Sequence, residues 1–360
     1  MPLSCEDIGH PATTQLNATL GEGNTPLVPS IRLGGRYGLR NLWFKLESCN
    51  PSGSYKDRFV AGEVTRILRL GMRACLATSS GNTGSALASF CARYGLRCLI
   101  LVNESAPAGK LMQMQAHGAL VVRVPGFVTD PEITTSVFAT LESISAESRI
   151  PIVISAYRYC PEGMSRVEAI AGEILQRFPG RAPHIFVPVG GGGLCAAVLK
   201  GAAGSAARVH AVQPEGCPTL VRAFAEGRDH AEPVVSSTRI SGLSVPTDID
   251  ATLALRLLRQ SGGDCLAISD DEAFAAQQQL LAFEGIYCEP AAATALAGAC
   301  KAVAAGALDG DDPVVCLVTG HGFKDADAIA SVAARQPARR AEASGLRHML
   351  EAELDHAESR

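Results

Sequence analysis

Four short segments of this 360-residue sequence carry residue types that bind anions or attack carbonyls. Val187-Pro188-Val189 leads into Gly190-Gly191-Gly192-Gly193-Leu194 and then the Ala-rich stretch Cys195–Lys200. Four residues without side chains at a helix start let successive N–H groups approach an anion, and the helix dipole adds attraction. A tight turn needing positive φ seldom takes four glycines, so the run suits one phosphate monoester. In Asn50-Pro51-Ser52-Gly53-Ser54-Tyr55-Lys56-Asp57-Arg58, Pro51 and Gly53 make a turn, and Ser54 with Asp57 has the spacing of a capping box. Lys56 then falls in the first turn of a helix. The positive end of a dipole disfavours an ammonium, so an amine placed there is readier to attack a carbonyl, as a Schiff-base lysine must.

The third segment is Thr78-Ser79-Ser80-Gly81-Asn82-Thr83-Gly84, where hydroxyls, an amide and free N–H groups can converge on a carboxylate or a ring oxygen. Serine and threonine are also simply good helix N-caps. The fourth, Thr319-Gly320-His321-Gly322-Phe323-Lys324-Asp325, follows the apolar run Val314–Val318. A hydroxyl at the end of such a strand lies where open α/β sheets bind ligands. Nucleotide signatures fit poorly. The only Gly-Lys, Gly109-Lys110, is followed by Leu111 rather than Ser or Thr, which excludes a P-loop. A dinucleotide fingerprint from Gly190 meets Cys195 where Gly belongs; one from Gly191 ends on Ala196, but the next strand runs into Gln213 instead of an acidic residue. No metalloprotease, calcium-loop or nucleophile-elbow motif is present either.

These segments need elements to hold them. Apolar runs at 42–46, 74–78, 98–102, 121–124, 152–155, 185–189, 209–212 and 314–318 read as strands, alternating with Ala-rich helical patterns. Helices are expected over Gly84–Tyr94, stopped by Gly95, and over Gly163–Phe178, stopped by Pro179-Gly180. The alternation predicts an α/β fold with mostly parallel sheets. On the strand 42–46, Lys45 alternates with Phe44 and Leu46 and is expected to face outward. The first 18 residues carry no periodicity and read as an arm, and the charge-dense tail from Ala334 holds one amphipathic stretch, Leu346–Leu354, expected as a peripheral helix or subunit contact.

Composition bounds the partners. With 47% hydrophobic and 19% charged residues the chain is globular, and its length allows two domains of roughly 100–200 residues each. A net charge of −4 supplies no basic field, so no nucleic-acid partner is expected. Apolar runs are far shorter than the roughly 18 residues of a membrane span, and the N-terminus lacks the pattern of a secretory signal; the expected address is the cytoplasm, with no membrane partner. Twelve widely spaced cysteines, none in a CxxC pair, read as reduced thiols rather than disulfides or metal ligands.

Taken in chain order, the segments 21–27 (GEGNTPL), 50–58 (NPSGSYKDR), 80–84 (SGNTG), 284–291 (EGIYCEPA) and 319–325 (TGHGFKD) resemble blocks of the fold type II pyridoxal-phosphate (PLP) enzymes, most closely the threonine synthase branch. The resemblance spans about residues 20–330. It implies two three-layer α/β/α domains: a larger one of residues 1–64 plus 162–360, with 334–360 as a peripheral tail, and a smaller mobile one of residues 65–161. It implies that Lys56 carries PLP as a Schiff base, that Gly190, Gly191, Gly192, Gly193 and Leu194 cradle its phosphate, that Asn82 contacts the ring hydroxyl and that Thr319 faces the pyridine nitrogen. Ser79, Ser80, Gly81 and Thr83 would hold the substrate carboxylate, and Ser155 the substrate further out. Lys56 would then serve as base for the Cα proton and later as acid. Glu289, within the Glu-Pro-Ala block, and His321 read as structural.

The resemblance also implies a lyase acting by Cα deprotonation and elimination, with water or another nucleophile adding afterwards, and a homodimer. Two departures bear on the substrate. Cys160 stands where threonine synthases of this type carry arginine, with Arg158 as the possible substitute. The all-glycine loop, 212–216 (VQPEG) and 242–244 (GLS) look more like serine and threonine dehydratases. A dehydratase and a β-replacement synthase making a specialised amino acid are the alternatives, with a non-catalytic PLP-fold amino-acid sensor beyond them.

Overall fold

Short β-branched runs returning through Ala-rich helices produce two separate sheets. The computed structural model describes residues 17–106, 108–335 and 338–358; most of the expected N-terminal arm and Cys5 lie outside them. The six strands β1 (Leu27–Pro29), β2 (Leu42–Leu46), β10 (Val314–Val318), β7 (His184–Pro188), β8 (Arg208–Pro214) and β9 (Asp264–Ile268) stand in that spatial order, parallel except for the β1–β2 pair. A second, all-parallel sheet has the order β5 (Leu120–Val124), β4 (Arg97–Asn103), β3 (Ala74–Ala77), β6 (Ile152–Val153). Strands β7 and β10 are buried along their whole length, as strands covered by helices on both faces must be.

The α/β architecture is therefore as expected, and each anticipated strand is present. Two more, β1 and β9, were not anticipated, and the strand expected over 152–155 stops at Val153. The helix stopped by Gly95 begins two residues early, at Asn82, and Gly95 closes it in the left-handed region at φ 67°. The helix expected over 163–178 begins at Pro161 and is two pieces, Pro161–Val167 and Ala169–Arg177, joined at Glu168.

Residues through Ala326 pack as one unit and Asp327 onward as another. In the second unit the helix Leu346–Glu358 is longer than its amphipathic stretch suggested, and Leu346, Leu350 and Leu354 are exposed at one-turn spacing. No described helix is long and apolar enough to cross a membrane.

Candidate functional site

The C-terminal ends of the neighbouring strands β10 and β7 deliver Thr319 and Gly190 to one edge of the larger sheet. The turn 50–55 is tied to that edge: the Tyr55 N–H donates to Thr319 O at 3.0 Å, the His321 N–H donates to Gly53 O at 2.9 Å, and Ser54 bridges Gly320. The helix Lys56–Arg69 starts at once, which places Lys56 in its first turn as the sequence requires. The predicted capping box does not form. Asp57 instead accepts from the Ser52 N–H at 2.7 Å, because the turn folds Ser52 back over the helix start and offers a nearer donor. Burial raises the Asp57 carboxyl to about 6 despite its bonds to Ser52.

Two residues on, Arg58 anchors a buried ionic network. It donates to Glu47 at 2.7 and 2.8 Å and to Glu173 at 2.7 and 2.8 Å. Lys45 joins it through Glu173 and Thr25 O, and Thr25 and Asn50 also donate to Glu47. The expectation that Lys45 faces outward is thus wrong. It is 1% exposed, because the helix Ala169–Arg177 covers that face of β2 and supplies the counter-ion. Burial alone would raise Glu173, but the hydrogen bonds and charges of Arg58 and Lys45 overcome it and hold its carboxyl at about 2.

Lys56 Nζ points away from this network and donates to Ser155 Oγ at 2.6 Å; Ser155 Oγ in turn lies 3.1 Å from Thr83 Oγ1. Three expected site residues are therefore joined in one chain of polar atoms. Close helix packing sets its geometry. A Cβ on Gly62 would lie 2.8 Å from Gly163 Cα, so only glycine lets the helix Lys56–Arg69 meet Pro161–Val167 this closely, and Glu63 fixes the contact by accepting from the Gly163 N–H at 2.9 Å. Cys160, just before that second helix, is buried and turns its thiol to Ile152 O, 3.7 Å away.

The glycine run forms a bare cradle. The N–H groups of residues 190–194 find no hydrogen-bond partner among the described residues, although Gly192 and Gly193 are buried. Gly192 sits at φ 94°, and a Cβ there would come within 2.6 Å of the backbone at Asp250. Asp250, which sequence reading missed, closes the loop from outside. Its N–H donates to Gly191 O at 2.8 Å, and its carboxylate accepts from the Tyr157 and Arg158 N–H groups at 2.7 and 3.3 Å, leaving the glycine amides unused. Unpaired buried N–H groups are rare, and a run of them at a helix start fits a phosphate. The cradle, the Lys56 amine and the hydroxyl of Thr319, a residue 4% exposed whose Oγ1 has no partner among the described residues, make a donor set that fits a phosphorylated aldehyde cofactor.

On the opposite side, Asn82 opens the helix Asn82–Tyr94 and donates through Nδ2 to Glu289 Oε1 and Oε2 at 3.0 and 3.3 Å. The Glu289 N–H donates to Gly320 O at 3.1 Å, and a Cβ on Gly320 would lie 2.2 Å from Glu289 Oε1. Glu289 thus holds the Asn82 amide against the strand end that carries Thr319, consistent with its structural reading. Burial raises its carboxyl to about 7 even though Asn82 and Lys324 pull the other way. His321 likewise acts locally, its Nδ1 accepting from the Phe323 N–H at 3.3 Å.

Ser79, Ser80 and Gly81 form the loop before the helix Asn82–Tyr94, half-buried, with the Gly81 N–H on Ser79 Oγ at 3.3 Å. Arg158 stands apart. Its side chain is exposed and lies over the Tyr159 ring, and only its backbone N–H takes part in the site.

The sequence model of the pyridoxal-phosphate dependent enzyme family matches residues 18–320. Threonine synthase of Methanosarcina acetivorans is 33% identical over 325 residues, which cover 87% of this chain and 78% of that protein. Threonine synthase of Halalkalibacterium halodurans is 33% identical over 331 residues, covering 89% and 88%. Among solved structures, the processed form of threonine deaminase isoform 2 from Solanum lycopersicum superposes with a TM-score of 0.73 at 20% identity, over 87% of this chain and 83% of that one. O-ureido-L-serine synthase gives 0.70 at 22% identity, over 90% and 96%.

Proposed function

The chain belongs to the pyridoxal-phosphate dependent enzymes, and from that premise we propose that Gly190–Leu194 hold the cofactor's phosphate, Lys56 its aldehyde carbon, Asn82 its ring hydroxyl and Thr319 its ring nitrogen. Bound there, PLP supplies an electron sink for the charge left at Cα of an amino acid. The rest is the work of this chain. Lys56 Nζ takes the Cα proton and returns one to the leaving group; Ser155 Oγ, accepting from that amine at 2.6 Å, fixes where it stands. The loop 79–81 and the first turn after it offer hydroxyls and helix N–H groups to the substrate carboxylate. Thr319, a neutral hydroxyl, would offer the ring nitrogen no charged partner, which would favour elimination over transamination.

The activity is that of a lyase of the threonine synthase type: an amino acid loses its Cα proton and a leaving group, and water or another nucleophile adds afterwards. The observation that carries it is the chain Lys56–Ser155–Thr83 set beside unpartnered glycine amides. A second reading, a serine or threonine dehydratase releasing a 2-oxo acid and ammonia, is favoured by Cys160, whose buried thiol faces Ile152 O and offers nothing to a substrate phosphate. Product analysis with homoserine phosphate, threonine, serine and phosphoserine decides between them: threonine from homoserine phosphate supports the first, 2-oxo acid from the hydroxy amino acids the second. An inactive protein without a visible absorbance band that borohydride abolishes would sink both.

Residues 65–161, which contain the whole four-stranded sheet, are proposed as the smaller domain that closes on the substrate. The exposed leucine row on Leu346–Glu358 supports a homodimer, and the eleven free cysteines among the described residues support a reducing, cytoplasmic setting.

A further inference from the structure

Three cysteines, two in the four-stranded sheet and one in a helix packed on it, lie outside everything assigned above. Cys75 on β3 and Cys98 on β4 are direct neighbours in the parallel register, and Cys91 comes from the helix Asn82–Tyr94 that joins those strands. The Sγ atoms of Cys75 and Cys91 are 3.5 Å apart, and all three sulfurs lie within 4.8 Å of one another. All three are buried, Cys98 least so at 6% exposure. No His, Asp or Glu among the described residues completes the group.

One small centre bonded to three sulfurs at about 2.3 Å holds them roughly 3.5–4 Å apart, so closing this trio needs sulfur shifts of no more than about 1 Å. Charge then selects the centre. Three thiolates leave a monovalent ion at net −2 and a divalent one at −1, and a divalent zinc would also want a fourth ligand. Uncompensated charge in an apolar core is costly. A trivalent soft centre leaves no net charge and accepts three ligands. We propose that Cys75, Cys91 and Cys98 form a binding site for a trivalent thiophilic metalloid, of which trihydroxyarsenic(III) is the simplest soluble form. Three S–H and three As–O bonds break, three As–S bonds form and three waters leave, with no change of oxidation state. Cys98, the most accessible of the three, is the sulfur an incoming ligand reaches first. Occupancy would strap to both strands the helix whose first turn carries Asn82 and Thr83.

The test incubates the reduced holoenzyme with arsenite and removes the excess. Native mass spectrometry is expected to show one arsenic gained and three protons lost per chain, and arsenic X-ray absorption three sulfur neighbours. Cys98→Ser and Cys91→Ala should lose the adduct while Cys49→Ser and Cys300→Ser keep it. Circular dichroism checks folding, and Cys98→Ala replaces Cys98→Ser if the serine does not fold. No adduct, loss of only two protons, or an adduct that survives Cys98→Ala overturns the proposal. Zinc(II) or copper(I) retained as firmly as arsenic overturns the charge argument behind it.

Discussion

Two polar clusters start from the same helix turn and follow opposite plans. Around Arg58, every charge has its partner: Glu47 and Glu173 face Arg58 and Lys45, and Thr25 and Asn50 fill the remaining acceptor sites. Around Lys56, one residue pair earlier in the chain, donors are left open: the glycine amides at 190–194 and the Thr319 hydroxyl have no partner among the described residues. Groups sealed from water must satisfy each other, whereas groups that receive a ligand stay unsatisfied until it arrives. We assign the closed cluster as the platform and the open one as the proposed site.

That contrast breaks most sharply at Lys56. Lys56→Ala is expected to reduce turnover by at least about 10³-fold while the unfolding free energy in urea changes by less than about 0.5 kcal/mol, as for a residue outside the platform. Steady-state kinetics and equilibrium unfolding on one preparation measure both, and retained turnover would remove the proposed mechanism. Arg58→Met should do the reverse to stability. Removing Arg58 strands the buried Glu47 carboxylate and leaves Glu173 with Lys45 as its one cation, at a cost of about 3–5 kcal/mol in urea unfolding. The same network predicts an acid limb. Glu173 titrates at about 2 in the fold against an ordinary 4.5, so its contribution is full above 4.5 and disappears as pH falls through about 2. An Arg58→Met protein that unfolds at the wild-type midpoint would show that the network is decoration.

The open cluster was the legible one. Glycine runs, a lysine after a Pro-Gly turn and a Ser-Gly-Asn-Thr-Gly loop announce themselves because their chemistry depends on local sequence. The closed cluster was not, since its partners are distant: Lys45 finds Glu173 across 128 residues, and nothing in the alternation of β2 shows that a helix covers its other face. The same reason hid Asp250, which lies in an aperiodic stretch and acts on a loop some 60 residues earlier. Ser54 and Asp57 have capping-box spacing, yet Asp57 took the Ser52 N–H, a choice made by the turn and invisible to a spacing rule. Strand β1 escaped because three residues ending in proline carry no period, and β9 because only Ile268 of its residues is buried.

Glu289 lies between the two plans, buried like the platform but attached to the site. Its carboxyl titrates at about 7 in the fold rather than 4.5, facing Asn82, Lys324, Asp325 and Lys110. The folded chain therefore holds that proton more tightly than the unfolded one, so the stabilisation is complete below pH 4.5 and is lost as pH rises through about 7. Glu289→Gln should remove this slope, gaining on the order of 3 kcal/mol over wild type at pH 8 and almost nothing at pH 4. Asp57, raised to about 6, contributes a slope of the same sign and should survive the substitution. Identical pH–stability curves for the two proteins would mean that the Glu289 carboxylate is not held in the apolar setting described.

The smallest expected effect tests whether the hydroxyl chain positions Lys56 or merely accompanies it. Ser155→Ala removes the acceptor of the Lys56 hydrogen bond and the link to Thr83, yet leaves the amine, the cradle and the platform in place. A lost positioning contact should lower kcat by roughly tenfold, about 1.4 kcal/mol, with KM and the unfolding midpoint little changed. Ser155→Thr, which keeps the hydroxyl, should recover most of it, and Thr83→Ala, one bond further from the amine, should cost less than Ser155→Ala. If Thr83→Ala proves the more damaging, the hydroxyl on the far side is contacting substrate directly, and Ser155 is then a spacer between two independent groups.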